Sequence, residues 1–289
     1  MTIVNKTEFT ICVRSTGEFT TKRLLEDLVY QVGSVEKVHL IKNLKFHEAV
    51  DRCFELAIED KSKWLITLDA DLVIKPDFIS IFLSVANSMK SKEIEAHAMT
   101  IDRLFMKYRS AGNRLYRVSS LTLLRELLNR TKKNIRPEGA MLREATKLGY
   151  KIKPIKNVVA LHDFFQFSRD LFRKGYLSSF KHISHSSELL STWRELGESS
   201  LDFKVLLRGF SFGITSAEKY TLDNGSDLFK AQYEKLSKEF YDYDSGLTIP
   251  KDLNSYINEI ISKESFHQKK SRFFKALTNF VQWRLFGKN

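Results

Sequence analysis

The first part of the chain alternates short apolar runs with stretches in which apolar residues recur at helical spacing. The runs over 8–13, 37–41 and 64–68 are apolar and rich in β-formers, and they predict three strands. Between them, apolar side chains at helical spacing predict helices over 20–32 and 47–58. Strand, helix, strand, helix, strand at these lengths is typical of a parallel sheet with crossover helices. We therefore predict an α/β fold.

The same alternation continues through the middle of the chain. A helix is predicted after Pro76, through Met89, and a strand near 96–101. After a polar loop, a helix is predicted from Ala140 to Leu148, with Gly149 as its cap, and it is followed by a strand-like run, Ile152–Leu161. These elements extend the predicted sheet.

The pattern changes after residue 162, where only helical spacing remains. Helical segments are predicted over roughly 164–208 and 226–240, with another near 251–263. We accordingly predict three regions: a catalytic α/β domain over 1–175, a helical extension over 176–263, and a basic amphipathic tail over 264–289. Apolar and aromatic residues of the tail fall on one helical face and Lys and Arg surround them. This is typical of a helix lying on an anionic membrane, with packing onto the domain as the alternative.

Two carboxylates directly follow the third predicted strand. Asp69 and Asp71 come after the apolar run Trp64–Leu68. Ligands bind at the carboxyl ends of the strands in such sheets, where Arg14 and Asn43 are also expected. Two carboxylates that reach one hard cation favour Mg²⁺ or Mn²⁺, which can neutralise a diphosphate. A surface turn with two acidic residues is the alternative, but the position at a strand end favours a metal site.

Two segments resemble motifs of a known family. Residues 64–78 are similar to the metal-binding segment of GT-A glycosyltransferases of the family 2 type. Residues 136–152 are similar to a second motif of that family, in which an acidic pair opens a helix that ends in Gly-Tyr before a strand. The resemblance covers roughly residues 8–175. It implies a Rossmann-like GT-A fold, with a mostly parallel sheet flanked by helices, and the transfer of a sugar from a nucleotide-sugar donor with Mn²⁺ or Mg²⁺.

The resemblance also implies roles for individual residues. It makes Glu138 the catalytic base that deprotonates the acceptor, so that the sugar is displaced with inversion. It makes Asp69, Asp71 and His162 the metal ligands. Glu138 could instead be an acidic residue that stabilises the first turn of its helix. His162 could be an ordinary, partly buried histidine.

This chain departs from the family at three places. Pro137 stands where the family has the first residue of an acidic pair, so a catalytically idle relative is conceivable. Asn43 stands where many relatives have an aspartate that reads a uracil base, so UDP is only the family default. Arg14, Ser15 and Thr16 replace a proline-rich loop. We predict that these three, together with Asp69, bind the nucleotide.

Positive charge is concentrated in the middle of the chain. The formal net charge is +12, and residues 101–156 carry 15 basic and 4 acidic side chains. The basic residues of this stretch include Arg103, Lys107, Arg109, Arg114, Arg117, Arg130, Lys132, Lys133 and Arg136. A solvated basic face is the simplest interpretation of most of them. The concentration also predicts an acceptor that carries phosphate or carboxylate, because arginine pairs well with both groups.

The remaining features bear on compartment and on competing functions. Cys12 and Cys53 both lie in apolar stretches, which indicates buried thiols in a reducing compartment. No signal peptide or spanning segment is evident, so we expect a cytoplasmic protein, peripheral at the inner face of the plasma membrane, that acts in cell-surface glycan synthesis. A nucleotidyltransferase-like enzyme is one alternative, although the loop after the first strand is a poor phosphate loop. A basic nucleic-acid-binding protein is another, but no nucleic-acid-binding motif is present and no nucleic acid is expected.

Overall fold

A computed structural model describes residues 8–134, 136–181, 186–215, 233–235, 244–260 and 262. The chain divides into two units, Met1–Ile249 and Pro250–Asn289. In the second unit, residues 253–260 are helical and Leu253 and Ile257 are buried, in line with the helix predicted near 251–263. The tail over 264–289, and with it the predicted membrane helix, lies outside the described residues. The domain boundaries stay predictions.

The first unit contains a mixed sheet. In the described residues its strands are β1 (Phe9–Ser15), β2 (Val38–Lys42), β3 (Trp64–Asp69), β4 (Leu72–Ile74), β5 (Glu93–Asp102), β6 (Lys107–Arg109), β7 (Asn113–Arg117) and β8 (Lys151–His162). Their order is β2-β1-β3-β7-β5-β8-β4, and β6 pairs with β5. β1 is parallel to β2 and β3, and β5 is parallel to β8, whereas β4, β6 and β7 run antiparallel to their neighbours. The predicted α/β class with a mostly parallel sheet is confirmed.

Helices connect and flank these strands. They are α1 (Thr21–Val32), α2 (Phe46–Glu59), α3 (Phe78–Ser88), α4 (Leu121–Thr131), α5 (Pro137–Lys147), α6 (Ser168–Lys181), α7 (Ser186–Gly197) and α8 (Leu201–Thr215), with a 3₁₀ turn over Val118–Ser120. The sequence analysis predicted neither α4 nor the short strands β4 and β6. The two strands have three residues each, which is too short for an alternating pattern to be recognised. α6, α7 and α8 lie where helical segments were expected over 164–208.

Both faces of the sheet are covered by apolar side chains. Val13 and Leu68 point to one face and pack in the cluster that includes Leu28 of α1. Cys12 belongs to the cluster on the other face together with Cys53 of α2. Successive strand residues point to opposite faces, so one apolar run supplies both clusters. Both cysteines are free and buried, as the sequence predicted.

A third apolar cluster holds α6, α7 and α8 together. Glycines allow α6 and α8 to approach at backbone distance. A Cβ atom added at Gly175 would lie 2.2 Å from the carbonyl oxygen of Leu206, and one added at Gly209 would lie 2.1 Å from that of Phe172. This close packing holds the backbones of α6 and α8 against each other. None of the described helices is both long and apolar enough to cross a lipid bilayer.

Candidate active site

A cleft of about 410 Å³ opens at the carboxyl ends of β1 and β3. Five of the predicted site residues line it: Arg14, Asp69, Asp71, Glu138 and His162. Parallel strands end at a common edge, and this brings residues from distant parts of the chain into one cavity. The edge of the sheet that the sequence analysis singled out therefore carries the cleft.

Ser15 and Thr16 are not among the residues that line this cleft. The Ser15 hydroxyl donates to Oε2 of Glu18 at 2.6 Å, and the Thr16 hydroxyl donates to Oε1 of the same carboxylate at 2.8 Å. Both hydroxyls are thus used in hydrogen bonds within the loop between β1 and α1. Their predicted role in nucleotide binding stays a prediction.

Arg14 joins two carboxylates at the base of the cleft. It pairs in register with Asp69 on the neighbouring strand, and its Nη2 atom lies 2.8 Å from Oδ1 of Asp69. Its Nη1 atom lies 3.3 Å from Oε1 of Glu138. Burial lowers the pKa of Arg14, but the charges of Asp69 and Glu138 outweigh burial and raise the pKa above its ordinary value. The guanidinium therefore stays charged and holds both carboxylates in place.

Glu138 is a buried carboxylate with three hydrogen-bond donors. It is the second residue of α5. Besides Arg14, the Tyr116 hydroxyl lies 2.7 Å from its Oε1 atom, and Nε of Arg114 lies 3.2 Å from its Oε2 atom. Burial raises the pKa of Glu138, but the charges of Arg14 and Arg114 outweigh burial and lower the pKa below its usual value. A carboxylate offers about four acceptor positions, so three donors leave one for a hydroxyl in the cleft.

The second group of site residues surrounds His162 at the end of β8. Asp71, His162 and Asp163 each offer a ligand atom, and these atoms lie within 4.8 Å of one another. The parallel register of β5 and β8 sets Asp102 beside His162, and the Asp102 Oδ2 atom lies 3.0 Å from Nδ1 of the imidazole. The Nε2 atom lies 3.5 Å from Oδ1 of Asp71.

This group fits a divalent cation. A carboxylate that accepts a hydrogen bond from Nδ1 of a histidine leaves Nε2 of the ring to ligate a metal. Asp102 is placed to accept such a hydrogen bond from His162. The Oδ1 atom of Asp71 is buried and accepts no hydrogen bond in the described part of the chain. Oxygen ligands with one imidazole suit Mg²⁺ or Mn²⁺. Asp69 is not part of this group, and its carboxylate pairs with Arg14. Its role as a metal ligand stays a prediction.

The charges within the group depend on one another. Burial lowers the pKa of His162, but the carboxylates of Asp163, Asp71 and Asp102 outweigh burial and raise the pKa to about 10. Burial, which outweighs nearby cations, raises the pKa of Asp163 to about 6. Without a metal the imidazole is therefore protonated at neutral pH. A metal ion bound at Nε2 would release that proton.

Lys174 of α6 completes the group. Its ammonium donates to Oδ2 of Asp71 at 2.7 Å, to Oε1 of Gln166 at 3.1 Å and to Oδ1 of Asp163. Burial lowers the pKa of Lys174, but Asp163 and Asp71 outweigh burial and raise the pKa above its ordinary value. The sequence analysis missed Lys174, because nothing in its helical neighbourhood indicates that it faces two aspartates. It also missed Asp102 and Asp163, although Asp102 directly follows the strand predicted near 96–101 and Asp163 comes two residues after the run Ile152–Leu161, so both could have been found by their position.

Arginines line the other side of the cleft. Arg136 and Arg143 belong to it and are largely exposed, whereas Arg109, which also lines the cleft, lies 3.2 Å from Oδ2 of Asp102 beside His162. The pKa of Arg136 is lowered by partial burial and by the positive charges of Arg109 and Arg143. This part of the cleft is therefore electropositive.

Several other basic residues of the 101–156 stretch serve the fold. The Arg117 guanidinium lies 4.5 Å from the centre of the Trp64 ring, and that of Arg103 lies 4.7 Å from the Phe203 ring. Arg114 lies 2.6 Å from the fully buried Glu95. The concentration of charge in the sequence thus divides into structural ion pairs and an electropositive side of the cleft.

Solved structures with some similarity to this chain each cover about half of it. A glycosyltransferase involved in the glycosylation of the major capsid of PBCV-1 is 12% identical, with a TM-score of 0.38, covering 54% of this chain and 92% of its own. CMP:2-keto-3-deoxy-manno-octonic acid synthetase complexed with CTP is 14% identical, with a TM-score of 0.37, covering 53% of this chain and 91% of its own. Glucosyl-3-phosphoglycerate synthase from Mycobacterium tuberculosis, in complex with Mn²⁺, UDP and glucosyl-3-phosphoglycerate, is 11% identical, with a TM-score of 0.39, covering 54% of this chain and 71% of its own.

These neighbours are glycosyltransferases and a nucleotidyltransferase. A scan of protein-family models and a search of curated proteins gave no match. At TM-scores this low we draw no conclusion about function from the solved structures. The function has to be argued from the side chains of this chain.

Proposed function

We propose that this protein is a metal-dependent, inverting glycosyltransferase that moves a sugar from a nucleotide-sugar donor to an anionic acceptor. The observation that carries the proposal is the composition of one cleft. A group suited to a divalent cation, formed by Asp71, His162 and Asp163, and an ionised, buried carboxylate, Glu138, line the same cavity at the carboxyl edge of the sheet. An electropositive surface forms its other side.

The cation would be held by Asp71, His162 and Asp163. When bound, it neutralises negative charge that builds up on a departing nucleoside diphosphate. Asp102 orients the imidazole for this role, through the hydrogen bond to its Nδ1 atom. Asp69 lines the same cleft, and its carboxylate is held by Arg14. We therefore assign Asp69 and Arg14 to the part of the site that contacts the nucleotide of the donor.

Glu138 is the proposed base. Its lowered pKa keeps it ionised at neutral pH, and Arg14, Arg114 and Tyr116 hold it in one orientation. One acceptor position remains for the hydroxyl of the acceptor. A carboxylate of low pKa is a weak base, so it receives the proton as the acceptor oxygen becomes acidic during bond formation. Direct attack of that oxygen on the sugar inverts the configuration of the anomeric carbon.

The acceptor would enter from the arginine side. Arg136 and Arg143 line this part of the cleft, and guanidinium groups bind phosphate and carboxylate through paired hydrogen bonds. We therefore propose an acceptor with such a group, as in a charged saccharide or a lipid-linked phosphosugar of cell-surface glycans. Attachment of the enzyme to a membrane through the tail stays a prediction.

The test is a thermal-shift screen of nucleoside diphosphates, triphosphates and nucleotide-sugars, each with and without Mn²⁺. Binding to the folded state raises the melting temperature, so millimolar ligand reveals even weak sites. We expect one nucleoside diphosphate and its sugar derivative to stabilise the protein only when Mn²⁺ is present. Stabilisation by a triphosphate, with pyrophosphate release on turnover, would favour a nucleotidyltransferase. A response to RNA or DNA alone would reject both enzymes.

A further inference from the structure

We propose that Lys174 is the resident cation of the Asp71–Asp163 pair, and that a divalent cation binds there only by displacing its ammonium group. The inference rests on the metal site of the proposed function. In this arrangement the side chain of Lys174 controls how tightly the metal binds.

The ammonium of Lys174 contacts oxygen atoms of the same two carboxylates that would ligate the metal. It donates to Oδ2 of Asp71 at 2.7 Å and to Oδ1 of Asp163, while Oε1 of Gln166 accepts from it at 3.1 Å. Two carboxylates and an amide oxygen are the ligands that a hard cation would use. Metal and ammonium therefore compete for the negative charge of the same two carboxylates, and two cations this close together repel each other.

Electrostatics explain why a cation is needed when no metal is bound. Asp71, Asp163 and Asp102 converge on His162, and the exposed fraction of the three carboxylate side chains is 13%, 3% and 1%. Buried like charges without a compensating cation are strongly destabilising. Arg109 lies 3.2 Å from Oδ2 of Asp102, and the His162 imidazole faces all three carboxylates. Lys174 supplies the further positive charge that contacts Asp71 and Asp163 directly. A divalent cation supplies two charges and removes the need for the lysine.

The backbone that carries Lys174 cannot withdraw to make room. Gly175, the next residue, lies against the carbonyl of Leu206, and Gly209 of α8 lies against the carbonyl of Phe172. The two helices are thus in backbone contact on either side of Lys174. Displacement must come from rotation of the flexible four-carbon stem of the lysine, which lines the open cleft.

The first experiment measures Mn²⁺ binding by calorimetry at one fixed pH, with the metal alone as the ligand. The proteins are the wild type, Lys174→Met, the more polar Lys174→Gln, and the control Lys153→Met, which breaks an ion pair with Glu93 outside the cleft. We expect both Lys174 variants to bind Mn²⁺ about tenfold more tightly than the wild type or more, since a competitor worth ~1.4 kcal/mol changes affinity by that factor. Lys153→Met should match the wild type.

Three outcomes are informative. Equal Mn²⁺ affinity in the wild type and the Lys174 variants overturns the inference but leaves the metal site standing. Tighter binding that Asp71→Asn abolishes in the Lys174→Met background supports it. No Mn²⁺ binding by any of the proteins rejects both the metal dependence in the proposed function and this inference. Nucleotide binding without metal is then decided separately by the thermal-shift screen.

A second measurement needs no variant and so does not depend on the folding of one. The wild type is treated briefly with an amine-acylating reagent, with and without Mn²⁺, and modification of each lysine is read by mass spectrometry. We expect Lys174 to be protected without Mn²⁺ and modified several-fold faster with it, whereas Lys153 is unaffected. Unchanged or slower modification of Lys174 on metal binding overturns the inference.

Discussion

The Nη1 atom of Arg14 lies 3.3 Å from Oε1 of Glu138, although 124 positions separate the two residues in the chain. The same guanidinium lies 2.8 Å from Asp69, so one buried cation joins the carboxylate at the end of β3 to the carboxylate at the start of α5. This arrangement keeps Glu138 ionised and oriented, and it links the two ends of the cleft.

Glu138→Gln tests the proposed base. Glutamine preserves the size of the side chain but cannot take the proton of the acceptor, so turnover should fall by roughly 10²–10⁴-fold. Donor binding, measured by thermal shift, should change little. Glu144→Gln on the exposed side of the same helix is the matched control and should keep full turnover. A Glu138→Gln enzyme with wild-type kcat would remove this residue from the chemistry.

Asp102→Asn tests the orientation of His162. The Oδ1 atom of Asp102 accepts from the backbone N–H groups of Leu104 and Phe105, each at 3.0 Å. The oxygen of an asparagine would keep those bonds and turn its NH₂ group to Nδ1 of His162, which then carries its proton on Nε2.

We expect Mn²⁺ affinity to fall about 10–100-fold in Asp102→Asn, as measured by calorimetry. Asp77→Asn, in an exposed turn, is the control and should leave the affinity unchanged. Wild-type Mn²⁺ affinity in Asp102→Asn would show that the imidazole does not ligate the metal.

Asp60→Asn tests the electrostatics of the fold away from the cleft. Burial raises the pKa of Asp60, but hydrogen bonds from Thr10 and His39 and the charge of Lys37 outweigh burial, so the pKa lies below 3.8. A group whose pKa is lower in the folded state than in the unfolded state stabilises the fold at any pH above its unfolded-state pKa. This stabilisation is lost as the pH falls through the folded-state pKa.

At pH 7, Asp60→Asn should therefore lower the free energy of unfolding by about 1 kcal/mol. The difference from the wild type, measured by urea denaturation, should shrink as the pH falls below 3.8. An undiminished difference there would mean that the charge of Asp60 contributes nothing to stability.

Gly209→Ala tests the packing that positions Lys174. The added methyl group would lie 2.1 Å from the carbonyl oxygen of Phe172, and only backbone movement can relieve this overlap. We expect the free energy of unfolding to fall by about 3 kcal/mol and the melting temperature to drop accordingly. Gly197→Ala is the control, since its nearest neighbour would be 3.6 Å away, and it should be neutral or stabilising. Equal melting temperatures for the two variants would contradict close packing of α6 and α8.

The sequence by itself determined the first three strands of the sheet, the helices between them and several site residues. Periodicity is local, so the strands over 9–15, 38–42 and 64–69 and the helices between them could be predicted from neighbouring residues alone. Asp69, Asp71 and His162 could be singled out because each lies at the end of a strand or within two residues of it, and strand ends meet at a common edge of such a sheet. Glu138 was found through the family motif that its segment resembles.

Tertiary structure alone decided which of these residues act together. The pairing of Asp102 with His162 spans 60 positions and depends on the register of β5 against β8. The contact of Lys174 with Asp71 spans 103 positions and depends on how closely α6 packs against its neighbours. Registers and helix contacts arise from packing between segments distant in the chain, and no local pattern encodes them. For that reason the sequence predicted Asp69, Asp71 and His162 as metal ligands, whereas only the fold shows that Asp69 lies against Arg14 and that Asp163 and Lys174 join Asp71 and His162.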